Sequence, residues 1–219
     1  MDQNITQEAI RRKARSISLL EAQGVPVLPG LPPIENESEA SPPSLEEVAF
    51  RALCLLPIAG RGCGLDSETE KRVIDSGELM THFTAAELAY IANPSPPEQD
   101  RVNFCWKFEC AWVLLWALGY IEEGLGKPVA VCDVHRAYEI AWERSPEEFM
   151  ADARLKATSE ILDQADLVYR YHWATRNAWI SGDDSPAGLN GSVVAEWHYA
   201  LNWLTGLYGR DWDNIETDT

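Results

Sequence analysis

A chain of 219 residues, 46% of them hydrophobic, is long enough to bury a sizeable core. Its formal charge of −17, from 35 acidic against 18 basic residues, argues against nucleic acid and anionic membrane as partners and suits a basic protein. The five cysteines are odd in number and lack a C-x-x-C pair, so they read as reduced core residues; with no charged segment leading into an apolar signal core, the expected compartment is the cytoplasm.

In chain order, Ile10, Ala14, Ile17 and Leu20 recur at helical spacing and predict an amphipathic helix over Ile5 to Gln23, stopped by Gly24 in a left-handed cap. Val25 to Pro43 then holds six prolines in nineteen residues and reads as an extended strap. Residues 1–43 are thus expected to be an N-terminal helix and strap, and residues 44–219 an α-helical globular domain. Ser44-x-x-Glu47 opens the next helix as a capping box, and the same pattern recurs at Ser67 and Glu70, Thr84 and Glu87, Ser95 and Glu98, and Ser145 and Glu148. The Gly-rich turn Ile58 to Gly64 lacks the Lys-Ser/Thr ending and the preceding strand of a phosphate loop.

Ser95 should start the central helix, with Pro96 and Pro97 in its first turn. Its core, Phe104 to Gly119, is apolar nearly all round and carries one carboxylate, Glu109. The apolar run Ala111 to Ile121 falls short of the about 20 residues of a membrane span, so this helix belongs inside a bundle. A buried ionised carboxylate needs a partner, which makes Arg170 or Arg176 its expected cation. Next, Val129 to Cys132 reads as a short strand or a connector, and Asp133 caps the helix after it.

A long helical pattern from Pro146 to Ile180, with a break near Thr158 and Ser159, carries the densest polar chemistry. Asp163, Asp166, Arg170, Trp173 and Asn177 share one face, and Leu162, Ala165, Tyr169, His172 and Arg176 lie beside it. After a loop from Gly182 to Gly191, Ser192 caps a final helix with Glu196, His198, Asn202 and Trp203, and Trp212 anchors the tail. Glu196 and His198, two residues apart, point about 200° away from each other, so no metal site is expected, and no cofactor. The candidate site is therefore a buried polar cluster of Glu109, Asp163, Asp166, Arg170, His172, Arg176, Glu196, His198 and Asn202, with Trp173 and Trp203 as pocket aromatics.

Trp106-x-x-Glu109 with Trp116-Ala117-Leu118-Gly119, Ile161-Leu162-Asp163-x-x-Asp166-Leu167 with Arg170-x-His172-Trp173-Ala174, Glu196-x-His198-x-Ala200-Leu201-Asn202-Trp203-Leu204, and Trp212-Asp213 with Thr217-Asp218-Thr219 are spread over nearly the whole chain. Together they resemble the bacterial family catalogued as domain of unknown function 4272. The segment around Glu196 usually reads Glu-Arg-His in that family, and this chain has Trp197 in place of the Arg. The resemblance implies no activity, substrate or cofactor.

The sequence thus predicts an all-α fold, a single domain of seven or eight helices around Phe104 to Gly119 with the N-terminal helix and strap wrapped over it. Its function is expected to be that of a non-enzymatic interaction protein, immunity-like or regulatory, binding a basic protein. The alternative is a small-molecule binder or enzyme built on the Trp, His, Asp, Arg and Glu cluster.

Overall fold

Side-chain caps set most of the helix starts. In the computed structural model, which describes residues 6–65, 77, 79–206, 209 and 211–219, Thr6 opens α1 (Gln7–Ala22), Ser44 opens α2 (Leu45–Cys63) and Thr84 opens α3 (Ala85–Ala92). Helices α4 (Glu98–Cys105) and α5 (Lys107–Ala117) follow. Asp133 caps α6 (Val134–Trp142), a box of Ser145 and Glu148 opens α7 (Pro146–Asp152), and Asn190 caps α9 (Gly191–Leu204) after α8 (Thr158–Ser181). The chain is all-α, with nine α-helices among the described residues.

The expected capping boxes at Ser44, Thr84 and Ser145 form, with both hydrogen bonds of each box present. That at Ser67 lies outside the described residues. Ser95 caps nothing: α4 starts three residues later, behind Pro97, whose side chain has no acceptor to offer the orphan amides. Asn190, not Ser192, caps the final helix, because its Oδ1 accepts from the amides of both Ser192 and Val193.

Every residue of α5 from Phe108 to Ala117 is buried, as the apolar run demanded. It is shorter than the single central helix expected, because the chain tightens at Trp106, where the Glu109 amide reaches the Trp106 carbonyl. The break lets α4 lie against α2 while α5 runs on into the core. At that crossing a Cβ on Gly62 would stand 2.5 Å from the Cys105 nitrogen and 2.7 Å from the Arg101 oxygen, so only glycine allows the approach. The expected Gly-rich turn is therefore the last helical turn of α2, closed by Gly64 at φ +73°.

The same approach brings Cys63 and Cys105 to a Cα separation of 4.8 Å, and they form a disulfide. This corrects the expectation of five reduced thiols. Cys54, Cys110 and Cys132 are free. The pairing depends on the α2 and α4 crossing and left no trace in the spacing.

Beyond α5, Gly119 turns the chain at φ +85°, and the amides of Arg154 and Lys156 reach the Leu118 and Ala117 carbonyls at 2.8 Å. The segment 153–157 thus satisfies the end of α5 and separates α7 from α8, so the long pattern from Pro146 is two helices. The 128–132 segment is a connector.

The strap crosses α1 and α8. Lys13 donates to the Pro29 carbonyl, Arg12 to Glu35 and Arg170 to Pro32, and the Ser41 amide reaches Thr205 at the end of α9. Trp212 is buried, as expected for a tail that packs. No helix among the described residues is long and apolar enough to cross a membrane.

Candidate functional site

Helices α5, α8 and α9 carry the expected polar cluster, and the structure divides it into separate pairs. Glu109, buried on α5, accepts from the Cys132 amide at 2.7 Å and from Trp197 Nε1–H at 3.0 Å. Neither Arg170 nor Arg176 is its partner, which corrects the expected ion pair: two neutral donors do the work assigned to a cation. Burial, opposed by those two hydrogen bonds, raises the Glu109 pKa.

One turn apart on α8, Asp166 and Arg170 form a closed bidentate pair, with Nε to Oδ2 at 2.8 Å and Nη2 to Oδ1 at 2.7 Å. Both are buried, and Arg170 Nη2 also donates to the Pro32 carbonyl of the strap. Asp163, on the same face but half-exposed, meets Arg12 at 3.1 Å and Arg15 at 2.5 Å. Arg12, itself buried, also pairs with Glu8. This stripe of α8 fastens α1 and the strap to the body.

The neighbouring stripe faces α9. His172 and His198 meet through Nδ1 atoms 2.7 Å apart, with ring planes 77° from parallel, and the Tyr169 ring lies 5.7 Å from that of His198. Such a contact needs one ring protonated at Nδ1 and the other bare. Burial lowers both pKa values, to about 4 for His172 and about 3 for His198, so both imidazoles are neutral near pH 7. On the far side of α9, Glu196 pairs with Lys107 at 2.7 Å and accepts from Cys110 Sγ at 3.0 Å. Burial pushes the Cys110 thiol well up and holds it protonated.

Three of the expected residues stand apart. Arg176 is exposed and lies over the Trp179 ring at 5.4 Å. Asn202 donates to the Glu216 carbonyl at 2.8 Å, holding the C-terminal tail. Trp173 packs against the core and does not line the groove that Trp203 lines.

Trp203 does line a groove of about 620 Å³, with Phe50, His82 and Trp212 around it. A second groove, about 420 Å³, runs beside Trp116, Lys156 and Asp163. Glu109, His172 and Arg170 line neither. No three metal-binding side chains converge among the described residues.

Sequence reasoning missed Trp197, Lys107, Arg12 and the buried pair of Arg51 with Glu87 at 2.6 Å. A lone Lys107 beside an apolar run was the one legible hint, since burial there requires a carboxylate partner.

Residues 12–215 match the model of a family described as domain of unknown function, DUF4272. The chain belongs to this family. The DUF4272 match runs from Arg12 in α1 to Ile215 in the tail and so contains the Asp166, His172 and Glu196 pairs alike. Trp197, inside the matched span, is the residue that supplies Glu109 with a neutral side-chain donor. No curated protein and no solved structure matches the chain.

Proposed function

We propose that the chain is a non-enzymatic acidic interaction protein, immunity-like or regulatory, that binds a basic protein partner. The observation that carries this reading is the charge balance of the interior. Among the described residues the buried cations are Arg12, Arg51 and Arg170, and the buried acids are Glu87, Glu109 and Asp166, three against three. The described interior therefore carries no net charge, and the acidic excess of the described residues lies outside it, where it steers and holds a basic partner. The buried imidazoles and thiols are kept neutral, which suits packing better than proton transfer or nucleophilic attack.

The test is capture of partner proteins by the purified chain across a salt series, with exposed acids changed to amides in a second bait. Basic proteins released by salt and lost with the acids support the proposal; capture indifferent to both removes it. A cytoplasmic location belongs to the same proposal. The free thiols of Cys54, Cys110 and Cys132 favour it, the disulfide opposes it, and the redox state of Cys63 in cells tests it.

A second reading, a small-molecule binder, has one specific support in the groove of Phe50, His82, Trp203 and Trp212. A retained ligand whose binding is lost in Trp203→Ala would favour it.

A further inference from the structure

We infer that the last turn of α8 is where the basic partner docks, with Trp179 and Ile180 as its apolar anchor; this rests on the interaction reading above. Helices α8 and α9 run antiparallel, since His172 faces His198 while Thr175 lies 3.8 Å from where a Cβ on Gly191 would be. Gly191 is the first residue of α9, so α8 continues to Ser181 with no α9 opposite it. Trp179 stands two turns beyond His172 on the stripe that α9 buries, and Ile180 stands two turns beyond Trp173. Both are 72% exposed.

A tryptophan left this open is unusual in a chain that buries so much of its aromatic surface, and tryptophan is the residue type most often found to anchor an interface. Arg176 lies over its ring and holds it in place without covering it. The loop from Gly182 folds back toward the connector, where the Asn190 amide reaches Pro128 and the Lys127 amine reaches Ala187. That connector adds two further exposed apolar side chains, Val129 at 50% and Val131 at 60%.

Charge selects the occupant. Asp183 and Asp184 follow the anchor after Ser181 and Gly182, are exposed, and have no ion-pair partner among the described residues. The carbonyl end of a 24-residue helix adds its own negative pole at the same place. Two cations at this end, Arg176 and Lys127, are already engaged, one by the Trp179 ring and one by the Ala187 carbonyl. The surface fits a partner that presents apolar side chains among lysines or arginines.

The test uses the full chain and synthetic helical peptides as probes, titrated by calorimetry at low salt. One peptide is built of lysine and leucine, and its twin has glutamate for lysine. The lysine peptide should bind and the glutamate twin should not. Trp179→Ala and Ile180→Ser should each weaken that binding at least about tenfold, the range of an interface anchor. Asp183→Asn with Asp184→Asn should weaken it severalfold and flatten its salt dependence. A control pair, Glu147→Gln with Glu148→Gln on α7, should leave it within about twofold. These side chains are exposed, so the variants fold. Binding of the lysine peptide that survives at the Trp179 and Ile180 variants overturns this surface while leaving the basic-partner reading standing. Equal binding of both peptides, or of neither, overturns both.

Discussion

His172 and His198 touch through their Nδ1 atoms at 2.7 Å inside the α8 and α9 interface, an arrangement that a doubly protonated pair cannot hold. In the unfolded chain both would titrate at the ordinary histidine value, about 6.5. In the folded protein burial lowers them to about 4 and about 3.

Between those values the unfolded chain binds more protons than the native state, so stability falls as pH drops from about 6.5 toward 4. Each histidine costs about 1.4 kcal/mol per pH unit crossed in that window. Denaturant melts at descending pH should show this slope, and His172→Asn should remove about half of it. Because wild type and variant share the same surface acids, the difference between their slopes isolates the imidazole.

Glu109 sets a second test. Glu109→Leu leaves the Cys132 amide and Trp197 Nε1–H without an acceptor, at about 1–3 kcal/mol for each orphan. Adding Trp197→Phe removes one of those donors, so the double variant should lose less than the sum of the two single variants. Combining Glu109→Leu with Arg170→Met should instead be additive, since the two groups have separate partners. Coupling between Glu109 and Arg170 would restore the ion pair that the geometry rejects. The raised Glu109 pKa has a sign of its own: the unfolded carboxyl ionises at lower pH than the native one, so this group takes stability away as pH rises through that interval.

Arg170→Met strands the buried Asp166 carboxylate and should cost about 3–5 kcal/mol. It also removes the donor to Pro32, so hydrogen exchange or proteolysis should reach the strap sooner than in wild type. Replacing Asp166 and Arg170 together by leucine and methionine should recover most of the stability while the strap stays loose. That split separates fastening from stability.

The α2 and α4 crossing gives a fourth prediction. The disulfide closes a sequence separation of 42 residues, and its reduction should cost about 2–4 kcal/mol in the chain-entropy model. Gly62→Ala meets backbone rather than a flexible side chain, so it should destabilise by about 1–3 kcal/mol or more. If Gly62→Ala is neutral in melts, the helices do not approach as described.

Local chemistry was legible in the sequence, and long-range partnership was not. The boxes at Ser44, Thr84 and Ser145 need only a hydroxyl and a glutamate three residues on, and they form. The burial of Phe108 to Ala117 followed from apolar composition alone. Glu109 failed differently: its burial was readable, but a partner 88 residues away could be a cation or a neutral donor, and the burial rule does not choose between them. Arg170 and Arg176 looked equivalent on their helix. Arg170 is buried where the strap crosses α8, and Arg176 is exposed on the other stripe, past the start of α9 at Gly191; a stripe pattern carries no information about where the neighbouring segments run. The Ser95 box failed because Pro97 takes the cap position.

The claim most in need of a direct test is that the surface acids serve a basic partner. We would immobilise the wild-type chain beside a bait with Asp183 and Asp184 changed to asparagine and further exposed acids changed to amides. Capture would be run from low to high salt, and the bound proteins identified by mass spectrometry. The expected result is a set enriched in basic proteins, released by salt, and depleted on the neutralised bait. A bound set with no basic excess, or one that salt and neutralisation leave intact, would contradict it.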